Sequence, residues 1–197
     1  MRAKTFKLLP LIGILTASAA LAGCSDVLRL DRSATTLVID ALDAAPVRSN
    51  TFAGTLQSDV STVVAGSATV FSDTGRVTIR TIMKDPLVTP SAVNAVTVNR
   101  YRVTYRRSDG RNTPGVDVPF PFDSATTFTV APGVTVTRTF ELVRQVSKAE
   151  APLLALAANG LIISTIADVT FFGEDQTGND LSASGSIGVQ FGNFADQ

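Results

Sequence analysis

The chain has 197 residues, with 17 basic and 17 acidic side chains, one cysteine, no histidine and no tryptophan. That composition excludes an intrachain disulfide and any Ser-His-Asp or Cys-His catalytic site, and it leaves too few nitrogen and sulfur ligands for an ordinary zinc or copper centre. The balance of charge gives no reason to expect nucleic acid as a partner.

At the N-terminus, Arg2, Lys4 and Lys7 precede an apolar run from Leu8 to Ala20, broken by Pro10, Gly13, Thr16 and Ser18. Positive charge followed by a short apolar segment is the layout of a secretory signal peptide. The run falls short of the ~20 apolar residues that a membrane-crossing helix needs. Leu21-Ala22-Gly23-Cys24 comes next, where cleavage would fall. This tetrapeptide in this position resembles the lipobox of bacterial lipoproteins, and the resemblance stops at Ser25. It implies cleavage before Cys24, a diacylglycerol thioether on that cysteine, and usually an acyl group on the new amine. Each buried methylene contributes about 0.8 kcal/mol and a single chain holds only marginally, so two or three chains would make a durable tether. Lipidation would also remove the sole thiol from an oxidising compartment. By the sorting rule best known for that family, Ser25 in place of aspartate implies the outer membrane, on its periplasmic or surface face, where the host has one.

The expected organisation is therefore a signal peptide over 1–23, a lipidated tether over 24–35 and a single domain over 36–197. Removal of the leader leaves 174 residues, a length that suits one domain. The leader carries three of the basic residues and none of the acidic ones, so the mature chain has a net charge of −3. Its abundant Val, Thr, Ile and Phe favour strands.

The first expected strand is 36–42, with Leu37, Ile39 and Ala41 on one face. Residues 43–61 read mainly as loop, pinned to the core by Phe52 and Leu56. A hairpin of 67–72 and 76–83 is expected around an Asp73-Thr74-Gly75 turn. Its second strand places Val77, Ile79, Thr81 and Met83 together. Pro86 and Pro90 make 84–94 a connection. Residues 95–107 form the longest expected strand, with Tyr101, Val103 and Tyr105 alternating against Arg100, Arg102, Thr104 and Arg106. Three prolines make 112–122 an edge segment or ordered loop. Strands over 126–130 and 134–146 follow, the latter with Val134, Val136, Phe140, Leu142 and Val146 on one face. Ser147-Lys148-Ala149-Glu150 has the form of a capping box that would start a short helix. Residues 161–172 and 181–191 make the clearest hairpin, turning over 174–180.

Eight or nine short strands separated by turns predict an all-β domain, an antiparallel β-sandwich, with a closed β-barrel as the alternative. The strand spacing and the Asp-Gln-Thr-Gly-Asn turn resemble immunoglobulin-like or fibronectin-type modules of bacterial surface proteins. The likeness is one of architecture, because the Cys–Trp–Cys core of true immunoglobulin domains is absent.

Three groups of residues could bind something. Glu174, Asp175, Asn179 and Asp180 offer hard oxygen ligands of the kind calcium takes, with Asp168 as a further donor. The spacing is not that of an EF-hand, and an ordinary polar hairpin turn is the simpler reading. Arg100, Arg102 and Arg106, with Arg107 and Arg111 nearby, form a row that could grip phosphates or carboxylates; a solvated strand face is the simpler reading. Phe120 and Phe122, set between prolines, would form a stiff apolar ridge if exposed, or would fold back onto the domain. Lys84 and Lys148 lie near no recognisable serine motif. No catalytic residue and no cofactor are expected. The expected role is a non-catalytic envelope lipoprotein that binds a protein or glycan and touches the membrane through Cys24. The alternatives are a spacer lipoprotein without a ligand and a glycan hydrolase built on two carboxylates. Replacement of the acceptor, Cys24→Ala, should abolish metabolic labelling by radioactive palmitate; labelling that persists would place the acceptor elsewhere.

Overall fold

The computed structural model describes residues 32–194. The leader, Cys24 and most of the tether lie outside the described residues. The protein is mostly β, as its composition leads one to expect. A three-stranded sheet contains β1 (Thr35–Ala45), β5 (Asp73–Met83) and β8 (Thr135–Val143), in the order β1-β5-β8. A five-stranded sheet contains β2 (Thr55–Asp59), β6 (Val96–Arg106), β7 (Phe122–Val130), β9 (Ile163–Asp175) and β10 (Asp180–Gly192), in the order β2-β10-β9-β6-β7. The fold includes a sheet curled into a half-barrel. Two short strands, β3 (Thr62–Val64) and β4 (Ser67–Thr69), form a separate hairpin. Hydrogen bonding does not close the described strands into one barrel, because β7 and β8 follow each other in the chain yet lie in different sheets.

Every pairing is antiparallel except that of β2 with β10, which is parallel. The expectation that 43–61 is mainly loop therefore needs correcting, since β2 lies inside it. Leu56 is wholly buried, as expected. Phe52 is not part of the core cluster; it is half-buried under the Arg76 guanidinium, which lies 4.2 Å from its ring centre.

The hairpin expected at Asp73-Thr74-Gly75 is also displaced. Those residues open β5 instead of turning it. The turn is Ala65-Gly66, where both residues take positive φ (52° and 82°), as a two-residue hairpin of the primed type requires. Gly75 is needed for another reason: a Cβ there would lie 2.4 Å from the Phe140 ring. Ser147 does not start a helix, because it lies inside a one-turn α1 (Gln145–Lys148); the short helical stretch expected before Gly160 is a 3-10 helix over Leu153–Ala158 that follows Pro152. Ser33 and Thr35 are already buried and share a 3.0 Å hydrogen bond.

Three irregularities decide which residues reach the core. In β1 the register shifts between Ile39 and Ala41. The inward set is thus Leu37 and Ile39, then Leu42 and Ala44; Ala41 is not among them. In β6 it shifts between Val98 and Arg100, so Val96 and Val98 give way to Tyr101, Val103 and Tyr105. A one-residue insertion in a strand reverses its alternation and increases its twist, which suits a curled sheet. Where β6 shifts, Gly173 lets the backbones close in: a Cβ on it would lie 2.6 Å from the Thr97 carbonyl oxygen. In the pairing of β5 with β8, Asp73 faces Val143 and Thr74 faces Glu141, leaving Leu142 unpartnered. The Tyr105 hydroxyl donates to that Leu142 carbonyl at 2.6 Å. Beside it, Tyr101 donates to the Glu141 carbonyl at 3.1 Å. Two tyrosines of one sheet thus satisfy the irregular strand of the other.

Both sheets contribute to a single hydrophobic cluster. Its aromatic centre is Tyr101, Phe140 and Phe171, with ring centres 5.1–5.9 Å apart, in the tilted and edge-on geometries that aromatic rings prefer. Of the five residues expected to share the β8 face, Phe140 and Leu142 are buried and Val136 packs at the margin, whereas Val134 and Val146 lie beyond the strand and are half-exposed.

The strand directions give the domain two ends. The first residue of β1 pairs with the last of β5, and the 131–133 turn between β7 and β8 bridges to Thr81. The chain therefore arrives from the tether at the end that carries 84–95, 131–134 and 176–179. The opposite end carries 46–54, 107–121 and 144–162.

Candidate functional site

The five expected calcium ligands do not converge. Asp168 faces Ser186 in the β9–β10 ladder, six positions from the Glu174–Asp180 pair, or about 20 Å along a strand. It binds Arg106 at 2.7 Å. The Asp175 carboxylate is occupied by its own turn, accepting from the Thr177 N–H and hydroxyl at 2.9 and 2.7 Å and from the Asn179 N–H at 3.0 Å. Burial pushes the Asp175 carboxyl up, but the bonds from Asn179, Thr177 and Ser33 outweigh it and hold it well below the usual carboxylate range. The turn is ordered by a carboxylate that is already satisfied, and Ser33 ties it to the start of the domain.

Arg100, Arg102 and Arg106 do share the outer face of β6, but each has a partner. Arg100 and Arg102 hold Asp123 at 2.9 and 3.4 Å, and Arg100 also stacks 4.0 Å from the centre of the Phe172 ring. Beyond the strand, Arg107 and Arg111 share Asp109 at 2.6 and 3.1 Å. Each of the five arginines engages a cross-strand or turn carboxylate, although three carboxylates serve all five. Half-exposed pairs of this kind contribute little stability; what they provide is register between β6, β7 and β9.

The two phenylalanines separate. Phe122 opens β7, is 6 % exposed, and meets Tyr101 edge-on with ring centres 6.3 Å apart. It belongs to the core and is not available to a partner. Phe120 is 53 % exposed and Val116 68 %. The loop between them is braced. Asp117 N–H donates to the Thr113 carbonyl at 2.8 Å, and Gly115 N–H to the Val118 carbonyl at 2.8 Å. Val118 and Pro119 are buried as its root. The Phe120 ring lies on Gly115, which has φ +76°, where a Cβ would come within 2.4 Å of it. A ring fixed against a glycine, flanked by Pro119 and Pro121, is an apolar surface that needs little ordering to bind.

A charged cluster that the sequence did not point to lies inside the domain. Lys148 Nζ sits 2.8 Å from Asp73 Oδ2, and neither side chain has any exposed surface. Lys148 also donates to the Asp59 carbonyl at 2.7 Å. Asp73 accepts from the Ser58 hydroxyl at 2.6 Å and from Val47 N–H at 3.0 Å. Desolvation pushes the Asp73 carboxyl above its ordinary value, against the opposing pull of Lys148, Ser58 and Val47. Serine and lysine do meet here, across a carboxylate, but no substrate can reach them. The cluster joins α1, the end of β2, the start of β5 and the 46–50 loop. Among the described residues, no buried side-chain nitrogen or oxygen lacks a partner. At the tether end, a cleft of about 100 Å³ between the starts of β1 and β10 is lined by Thr36, Leu37, Lys84, Asp180 and Leu181. It is well below the ~300–1,000 Å³ of a typical small-molecule site.

Removing one member of the buried pair should be costly, because the other stays charged and dry. Lys148→Met is expected to lose about 3–5 kcal/mol of unfolding free energy, read by urea denaturation. The double variant Asp73→Leu/Lys148→Met should lose less than the sum of the two single losses. Additive losses would show that the two side chains are not coupled. Asp175 sets a pH dependence. Its carboxyl is lower folded than unfolded, so its contribution is complete above the ordinary aspartate range and fades as pH falls through and below it. Asp175→Ala should lower stability at neutral pH and flatten the decline in acid; parallel acid curves for the two proteins would contradict this.

Comparison with known protein families, curated proteins and solved structures finds no match.

Proposed function

We propose that the chain is an exported lipoprotein, held on an envelope membrane by acyl chains on Cys24, whose domain is a non-catalytic immunoglobulin-like sandwich that binds a protein or glycan partner. The outer membrane is the membrane that Ser25 favours. The observation that supports a binding role is the braced ridge of Val116 and Phe120 at the end away from the tether. Exposed apolar side chains on a loop stiffened by prolines are the kind of surface that partners cover. The arginines of β6 are already engaged with carboxylates, so the ridge is the surface that carries this reading.

The test is cross-linked capture of the tagged full-length protein from its native envelope, read by mass spectrometry against Cys24→Ala and Phe120→Ala. A partner enriched by the parent should be depleted with Phe120→Ala, since loss of a central aromatic anchor costs about 2 kcal/mol, or roughly 30-fold in Kd. Enrichment that Phe120→Ala leaves unchanged would remove the ridge from the interface. No enriched partner would favour a spacer lipoprotein.

A further inference from the structure

We infer that the 84–94 loop rests in the interfacial layer of the bilayer that carries the tether, with Leu87 as its apolar tip. The inference depends on the lipid-anchor reading above and adds a second contact with the same membrane. Its first support is position. Thr35 pairs with Met83, and Lys84 N–H donates to the Ala34 carbonyl at 2.9 Å. The loop thus leaves the domain at the point where the tether enters. Eight residue steps separate Cys24 from Arg32, and at about 3.5 Å per step even a fully extended chain reaches less than ~30 Å. The tether therefore keeps the end of the domain that bears this loop within about 30 Å of the lipid.

The second support is the surface offered. Leu87 is 92 % exposed, the highest value among the large apolar side chains described, and Val88 and Val93 are about half-exposed. Val134, in the neighbouring turn region, is half-exposed at the same end.

The third is that the loop is built to hold Leu87 outward. Asp85 Oδ1 accepts the Leu87 N–H at 2.9 Å, and Val88 N–H returns to the Asp85 carbonyl at 3.3 Å. Pro86 fixes the φ between them. On the return limb, Asn94 Oδ1 accepts the Ser91 N–H at 2.9 Å and the Ser91 hydroxyl at 3.0 Å. A side chain held in water by its own backbone turn has not failed to fold back; its direction is specified. Lys84 and Asp85 offset each other at the base, so the loop presents apolar area to a bilayer and little net charge. Shallow burial of such a tip at the headgroup boundary is the ordinary mode of interfacial attachment.

The chain has no tryptophan, so Leu87→Trp is a unique reporter, and Leu161→Trp at the far end is its control. Both would be prepared as the lipidated full-length protein in vesicles of phosphatidylethanolamine and phosphatidylglycerol, with acylation verified by intact mass. Leu87→Trp should emit at shorter wavelength in vesicles and lose most of its intensity to brominated acyl chains, while Leu161→Trp does neither. A Leu87→Trp signal like that of water, unquenched in protein shown to be acylated, would overturn the inference and leave the anchor standing. If intact mass shows no acyl group, the anchor reading fails. The same variants of residues 24–197, coupled through Cys24 to a maleimide lipid, then decide the loop alone: quenching supports its affinity for lipid and none overturns it.

Discussion

The organisation of the domain depends on one ion pair out of contact with water. Lys148 and Asp73 are wholly buried, 2.8 Å apart. Neither could be tolerated alone, because an unpaired charge in a dry interior is far more costly than an exposed one. Their remaining hydrogen-bonding capacity is met by Ser58, Val47 N–H and the Asp59 carbonyl, so the pair specifies how four separate segments must meet. Burial pushes the Asp73 carboxyl upward, and Lys148, Ser58 and Val47 pull against it. The pair's value lies in permitting one arrangement of α1 against β2 and β5 more than in net stabilisation.

The same logic, a polar group satisfied from the other sheet, recurs at the tyrosines. Where β8 loses register with β5, the Leu142 carbonyl would be orphaned in the core. Tyr105 reaches it from β6, and burial of that hydroxyl beside Asp73 pushes its ionisation out of the ordinary range. Aromatic bulk fills the space between the sheets while the phenolic tips close the hydrogen-bond accounting. Irregular strands thus fit together with no buried side-chain nitrogen or oxygen left unsatisfied among the described residues.

Much of this was legible in the sequence. The β6 pattern of Tyr101, Val103 and Tyr105 against arginines gave the correct faces, and the β9–β10 hairpin followed from clean alternation around a polar turn. What was not legible depended on partners far away in the chain. Thr55–Asp59 contains one large apolar residue and is a strand only because β10 supplies its hydrogen bonds, more than a hundred residues later. Asp73-Thr74-Gly75 has the composition of a turn, yet Asp73 is there for Lys148 and Gly75 for the Phe140 ring. The shifts in β1, β6 and β8 leave no local signature. Among the candidate site residues, alternation placed the arginines outward but could not show their carboxylate partners. The proline spacing marked the Phe120–Phe122 segment without telling that one ring goes out and the other in.

The parallel pairing of β2 with β10 also bears on how the molecule is completed as it is made. β10 is the last of the described strands, yet it lies inside the larger sheet, between β2 and β9. Residues 55–59 therefore have no strand to join until residues 188–192 have emerged, and contacts of such long range form late and slowly. During synthesis from the N-terminus, β2 waits with its edge open until β10 has been made. A chain cut short by its final strand would lack an interior strand of the sheet, leaving β2 and β9 each with an unpaired edge open to association with other chains.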